Sequence, residues 1–242
     1  MINVTIWNEY PHGQDSEAHK KAYPYGLHNC IKDFLQCSDI NVKCALYDES
    51  EFGLSDEVLN STDVLIWWAH VLHDKIPDTL VQKIKERVLK GMGIIFLHSA
   101  HYSKVMSSLL GSSGRLNWRE ANERERIWNV NPTHPIARGV PMEFCLEKEE
   151  MYGEYFDIPR PDDIIFLGWF EGGNVFRSGV TFTRGYGKIF YFQPGHETFA
   201  TYQNENIQTI IKNAVRWAAP AIYAEDLNCV HEVKSKEIIM EK

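Results

Sequence analysis

Apolar and polar residues alternate along the first half of the chain in patterns that switch between strand-like and helix-like periods. Apolar or alternating runs predict four strands, at 2–7, 41–47, 63–69 and 93–98. Between them, apolar residues three and four positions apart predict helices at 26–36 and 77–90. Repeated βα units of this kind indicate a parallel sheet with helices on both faces.

The pattern changes in the second half, where short strands follow one another without long helices between them. These strands are predicted at 126–130, 142–152, 163–170, 175–183 and 187–193, with Gly and Pro in the turns. A last amphipathic helix is predicted at 205–218. We therefore expect one α/β domain, 1–219, whose doubly wound, mainly parallel sheet has an antiparallel extension. The tail at 220–242 is expected to be an arm or a loosely packed end.

Composition and charge indicate which kinds of partner this chain can be expected to bind. The chain has 242 residues, a formal net charge of −8 and no run of Lys or Arg, so we expect neither a nucleic-acid nor a membrane partner. It has no apolar stretch of about 18 residues and begins with a strand rather than a secretory signal. Its five cysteines form no C-x-x-C pair, which indicates reduced thiols. We expect a cytoplasmic protein with a small-molecule partner and no nucleotide cofactor.

Histidines stand where three of the predicted strands end. His70, His98 and His196 follow the apolar runs that start at 63, 93 and 188. Since the carboxyl ends of parallel strands meet at one edge of the sheet, where ligands bind in such folds, we expect these imidazoles to form a site. Gly195 permits backbone angles that would turn His196 into a cleft. Glu197 would orient this histidine or begin the next helix.

Two of these histidines belong to H-x-x-H pairs, His70 with His73 and His98 with His101. On a helical turn, each pair would present two imidazoles to one metal. The alternative is that one histidine of each pair faces the site while the other caps a helix or bonds to its own loop. Ser99 is a lesser candidate, as a nucleophile at the strand-to-helix turn, because the flanking glycines of a nucleophile elbow are missing.

Acidic and aromatic residues near position 150 supply further groups. If this segment is extended, Glu150, Tyr152 and Glu154 share one face and bring two carboxylates and a phenol toward the imidazoles. Such groups serve as metal ligands or as a general acid/base pair. The mixed-charge stretch at 115–128 is interpreted either as a lid or oligomer contact with ion pairs, or as an exposed, salt-bridged helix.

Together these segments resemble the ThuA-like family, named for trehalose utilisation, whose fold is that of the class I glutamine amidotransferases. The resemblance runs in collinear order from about 2 to 219 and rests on 4–9 with His12, and on 67–73, 91–101, 118–120, 123–128, 134–136, 149–154, 175–178 and 194–197. It implies a flavodoxin-like sheet with the site at its carboxyl edge. Because His98 and Ser99 stand where the amidotransferases have their nucleophilic Cys, it also implies that Cys-dependent glutaminase activity is absent.

We therefore expect a carbohydrate-utilisation protein, a hydrolase, isomerase or lyase acting on trehalose, another disaccharide or a keto sugar, as a monomer or a homo-oligomer. The expected catalytic groups are His98, His196 and Glu150, and the expected ligands of a divalent metal, preferably Zn²⁺, are His98, His196 and Glu154. The expected sugar contacts are Trp7, Asn8, His12, His70 and Tyr152. The alternatives are a carboxylate pair acting without a metal and a non-catalytic sugar-binding or regulatory protein.

Overall fold

A nine-stranded mixed sheet forms the centre of the structure, a computed structural model that describes residues 1–9 and 16–237. Its strands are β1 (Ile2–Asn8), β2 (Ile40–Leu46), β3 (Val64–Trp68), β4 (Gly93–Leu97), β5 (Asn117–Asn129), β6 (Glu143–Gly153), β7 (Asp163–Phe170), β8 (Val175–Arg184) and β9 (Gly187–Phe192). They lie in the order β2-β1-β3-β4-β9-β8-β7-β5-β6. The pairs from β2 to β9 are parallel and those from β9 to β6 antiparallel. This is the flavodoxin-like α/β fold with an antiparallel extension that the sequence predicts.

Helices cover both faces of the parallel half. They are α1 (Glu17–Ala22), α2 (Leu27–Leu35), α3 (Asp56–Asn60), α4 (Asp78–Lys90), α5 (Lys104–Leu110) and α6 (Glu205–Ala218). The buried stripes of α2 and α6 pack with side chains from one face of the strands, and those of α4 and α5 pack with side chains from the other. In α4 the stripe is Leu80, Ile84 and Val88, spaced four apart, which is the period of one helical face.

The stretch at 115–128 forms most of strand β5, so the interpretation as an exposed helix is wrong. Its charged side chains pair along and across an extended ribbon: Arg119 bonds to Glu123 of the same strand at 2.7 Å, and Arg126 bonds to Glu143 of β6 at 2.8 Å. In β5, residues 117–122 are all exposed. From 123 to 129, buried residues alternate with more exposed ones. Only that alternating part resembles an ordinary strand in the sequence, which explains why the predicted strand starts too late.

The β5–β6 ribbon extends past the rest of the sheet. Strand β7 pairs only with residues 125–129 of β5, whereas β6 pairs with β5 back to Asn117. The register shifts between Arg119 and Glu125, an irregularity that bends a ribbon. Although four strands separate β6 from β4 in the sheet, Glu150 of β6 therefore contacts His98 at the end of β4. The ribbon supplies one wall of the site.

The tail is only partly described. Between 220 and 237 it contains no helix or strand, but it begins against the sheet, where the Tyr223 hydroxyl donates to the Thr62 carbonyl and the Ala224 amide donates to the Lys90 carbonyl. Within the described ranges, no helix combines the length and apolar character needed to cross a membrane.

Candidate active site

His98 lies at the carboxyl edge of the sheet, and contacts on both sides of its ring hold it in place. It directly follows β4 with φ +52°, a left-handed conformation that is uncommon for a residue other than glycine and typical of functional turns. The ring is fully buried. Its Nδ1–H donates to the Gln193 carbonyl at 3.0 Å, and its Nε2 lies 2.9 Å from Glu150 Oε2. Because both ring nitrogens have partners, the orientation of the imidazole is set.

Electrostatics make His98 and Glu150 an ion pair. Burial by itself would lower the pKa of His98, but the hydrogen bond and charge of Glu150, with the charges of Glu149 and Glu197, raise it to about 9. Burial would likewise raise the pKa of Glu150, but the contact with His98 outweighs it and lowers this pKa. The two shifts agree, so at neutral pH the pair consists of an imidazolium and a carboxylate.

His196 completes a cluster of three. It follows β9, which is the parallel neighbour of β4, and its ring stands perpendicular to that of His98 with centroids 5.4 Å apart. Its Nδ1 lies 2.8 Å from Thr198 Oγ1, while its Nε2 is buried without a partner among the described residues. Burial, and then the charge of His98, lower its pKa, so the ring is neutral. One donor atom each from His98, Glu150 and His196 lie within 4.8 Å of one another.

Two buried carboxylates that the sequence analysis did not assign hold the loops of the site. Glu149 accepts from the backbone N–H groups at 195–196 and from the Thr201 hydroxyl. Glu9 accepts from the backbone N–H groups at 70–72. The doubled acid at 149–150 was the available signal, because neighbouring residues of a strand point to opposite faces. One carboxylate serves the loop and the other faces the cavity.

The cluster borders a cavity of about 580 Å³. Its lining combines imidazoles, hydroxyls, aromatic rings and two carboxylates, from His70, Val71, His73, Ser99, His101, Tyr102, Arg115, Leu116, Trp118, Glu120, Glu150 and Tyr152. The Tyr152 ring stacks on His98 with centroids 5.1 Å apart. Burial raises the pKa of its phenol well above the usual value, so this hydroxyl stays protonated.

The two H-x-x-H pairs divide their roles between the cluster and the surrounding loops. His98 belongs to the cluster, whereas His101 donates from Nδ1 to the Gly114 carbonyl at 2.7 Å. Burial lowers the pKa of His101 to about 3. His70 lies with its ring centroid 6.3 Å from that of His196, and His73 packs against Tyr102. Of these four histidines only His98 belongs to the cluster, whereas His70, His73 and His101 all line the cavity, so neither arrangement expected for the pairs is realised in full.

Glu154 is not brought to the cluster. Strand β6 ends at Gly153, so the alternation that places Glu150 and Tyr152 at the cavity stops one residue earlier. The Glu154 carboxylate instead pairs with Arg177, with both oxygens 2.8 Å from guanidinium nitrogens. Of the two carboxylates, Glu150 rather than Glu154 lies beside His98 and His196.

Three of the expected sugar contacts also lie elsewhere or outside the described ranges. Trp7 is fully buried, stacks on Trp67 at 3.8 Å between ring centroids and presents no surface to the cavity. The Asn8 side chain is buried and its amide lies 3.0 Å from His28 Nδ1. Apolar packing explains Trp7, because the core covers both faces of β1, with Trp7 on one face and Val4 and Ile6 on the other. His12 lies outside the described residues, whereas His70 and Tyr152 line the cavity.

Comparisons with known proteins agree with this architecture. A putative ThuA-like protein from Parabacteroides merdae has a similar structure, with a TM-score of 0.67 at 14% identity over 94% of this chain and 92% of that one. A second, from Bacteroides uniformis, has a TM-score of 0.62 at 13% identity over 90% and 91%. A glutamine amidotransferase from Thermotoga maritima has a TM-score of 0.53 at 11% identity over 90% and 97%. No curated protein matches the chain.

The structural matches show a shared fold, and the sequence itself carries the assignment to a family. A family model described as "ThuA: Trehalose utilisation" matches residues 3–218. This match spans nearly the whole sheet and both strand ends that carry the histidine cluster, and the chain therefore belongs to the ThuA family.

Proposed function

We propose that this chain is a carbohydrate-utilisation enzyme that moves a proton on a sugar, with Glu150 as the group that accepts it. The observation that carries the proposal is the position of the Glu150 carboxylate, which lines the cavity and lies 2.9 Å from the buried His98 imidazolium. The ion pair keeps Glu150 ionised although it is buried. The family description, trehalose utilisation, supports a sugar as the substrate.

The neighbouring phenol supplies the complementary group. Tyr152 lines the same cavity and stays protonated because burial raises its pKa. It would donate a hydrogen bond to a carbonyl oxygen of an oxidised (keto) sugar while Glu150 takes a proton from the adjacent carbon. The positive charge of His98 would stabilise the negative charge that develops on the substrate. This division of roles favours isomerase or lyase chemistry on a keto sugar.

A divalent metal, preferably Zn²⁺, fits between His98, His196 and Glu150. The buried Nε2 of His196 has no partner among the described residues, and two imidazole nitrogens with one carboxylate oxygen form a common zinc donor set. His98 must lose its Nε2 proton to coordinate, so metal and proton compete for this atom. The His98–Glu150 ion pair and the proton transfer by Glu150 therefore belong to the metal-free chain. When bound, the ion would polarise a carbonyl or hydroxyl oxygen of the sugar.

We also propose a cytoplasmic location. Two Salmonella typhimurium proteins with this fold are described as cytoplasmic.

Solvent exchange tests the proton-transfer proposal. Trehalose and its monoketo derivatives are incubated with the protein in D₂O, and deuterium uptake at carbon is followed by NMR. We expect uptake next to the carbonyl and a loss of about 100-fold in Glu150→Gln. Glu143→Gln is the matched control, because this exposed carboxylate lies on the same strand outside the cavity and should keep the rate. Saturable sugar binding without exchange would instead support the non-catalytic alternative.

Elemental analysis by plasma mass spectrometry tests the metal. We expect near-stoichiometric zinc after dialysis against Zn²⁺, lost in His98→Ala and His196→Ala and retained in Glu154→Gln, because Glu154 is paired with Arg177. Protein that takes up no zinc, manganese or iron would remove the metal from the proposal and leave the proton transfer by Glu150 standing.

A further inference from the structure

A second series of reactive side chains begins at the cavity wall beside the His98–Glu150 pair. Ser99 Oγ lies 3.2 Å from His70 Nδ1, and His70 Nε2 lies 3.7 Å from Glu197 Oε1. Ser99 and His70 both face the cavity. A hydroxyl, an imidazole and a carboxylate in this order of contacts form the arrangement that activates serine nucleophiles on many unrelated folds.

Three adjacent strand ends deliver these groups. His70 follows β3, Ser99 lies in the turn after β4, and Glu197 follows β9, and these strands are neighbours in the parallel half of the sheet. The loop of His70 is fixed by Glu9, which accepts from its backbone N–H groups at 70–72. Strand ends hold catalytic groups more precisely than free loops do. The alignment of Ser99, His70 and Glu197 is therefore built into the sheet.

Glu197 supports this interpretation, because its carboxylate is incompletely satisfied. The side chain is only 10% exposed, and its Oε2 is buried without a hydrogen-bond partner among the described residues. Its oxygens Oε1 and Oε2 lie 3.7 Å from His70 Nε2 and from His196 Nδ1, respectively, and both distances are longer than a hydrogen bond. Catalytic hydrogen bonds are often this long before a ligand binds, and a movement of about 1 Å would close the contact with His70.

We propose that Ser99 is a nucleophile, with His70 as its general base and Glu197 as the carboxylate that orients His70, and that it cleaves carboxylic esters of small alcohols. Its nucleophile, base and orienting carboxylate are different side chains from the His98–Glu150 pair, and Tyr152 serves as the hydrogen-bond donor in both proposals. This activity does not require that the natural alcohol be a sugar.

The reaction follows from the positions of the three groups. Ser99 Oγ attacks the ester carbonyl carbon while its proton passes to His70 Nδ1, and the carbonyl oxygen becomes negative. Tyr152, whose hydroxyl contacts Ser99, donates a hydrogen bond to that oxygen. The C–O bond to the alcohol then breaks, and the alcohol leaves with the proton from His70. Water, deprotonated by His70, releases the acid from Ser99, so one ester and one water give one acid and one alcohol.

Covalent labelling tests the nucleophile without any sugar. The full chain is treated with a fluorophosphonate probe, and adducts are measured by intact mass spectrometry and located by peptide mapping. We expect one adduct per chain, on Ser99, absent in Ser99→Ala and formed about 100-fold more slowly in His70→Gln. Ser107→Ala, a half-buried serine of α5 outside the cavity, is the matched control and should label like wild type.

Hydrolysis of p-nitrophenyl acetate gives a second measurement. Ser99→Ala should lose the burst of p-nitrophenol, and Glu197→Gln should slow it about 10-fold. An unlabelled wild-type protein whose circular dichroism shows a folded state would overturn the proposal, as would a probe adduct that survives in Ser99→Ala. Neither result bears on deuterium exchange by Glu150, so the two proposals fail separately.

Discussion

The His98–Glu150 ion pair should make the stability of the fold depend on pH above neutrality. The pKa of His98 is about 9 in the folded chain, against about 6.5 in an unfolded chain. A difference of about 2.5 units corresponds to about 3 kcal/mol of unfolding free energy. Because the folded pKa is the higher one, this stabilisation is fully present below about pH 6.5 and is lost as the pH rises through about 9.

Urea unfolding between pH 6.5 and 10 measures this contribution. In Glu150→Gln the ion pair is absent, burial keeps His98 neutral, and the pH-dependent stabilisation should disappear. We expect wild type to lose about 3 kcal/mol more than this variant over that range. Tyrosine ionisation affects both proteins and cancels in the difference. Glu143→Gln, which removes an exposed carboxylate from the same strand, should keep the wild-type dependence on pH.

Two results would refute the reasoning. One is an equal dependence of the unfolding free energy on pH in wild type and Glu150→Gln. The other is an NMR titration in which the His98 ring changes protonation at or below pH 6.5, because such a midpoint leaves no excess of the folded pKa over the unfolded one.

Three further predictions concern the loops and the core. Glu149→Gln should lower the unfolding free energy by about 1–3 kcal/mol in urea titrations. It should also speed hydrogen exchange of the His196 backbone amide. Unchanged exchange would contradict the role of Glu149 in holding that loop. Gly195→Ala should lower the melting temperature, because φ is +139° there and a Cβ would overlap the Tyr202 hydroxyl. Trp7→Phe should lower the unfolding free energy by about 1–3 kcal/mol. Its sugar affinity, measured by calorimetry, should stay within about twofold of wild type. A larger loss of affinity would place Trp7 in the sugar site.

The parallel half of the sheet is predictable from the sequence because its strands are buried on both faces. The predicted strands at 63–69 and 93–98 become β3 and β4, whose residues are all buried. Once the order of these strands is known, the gathering of His70, His98 and His196 at one edge follows. Short helices such as α3 and α5 were not predicted, since five to seven residues carry too few turns to show a helical period.

The details of the site depend on long-range geometry that no local pattern carries. Glu150 rather than Glu154 joins His98 because β6 ends at Gly153 and Arg177 of a distant strand pairs with Glu154. The contact of Glu150 with His98 also requires the bend of the β5–β6 ribbon. The burial of Trp7 follows from its stacking on Trp67, which lies on a neighbouring strand.

The place of β9 between β4 and β8 also determines when the site can form during protein synthesis. The Gln193 carbonyl that fixes His98 lies 95 residues further along the chain, a length that takes about 5–20 s to translate. Until then β4, a wholly apolar strand, has an open backbone edge that other unfinished chains can pair with. We expect ribosome-bound chains that end before Gly187 to need a chaperone over this edge, and chains in which Phe192 has emerged from the ribosome to release it.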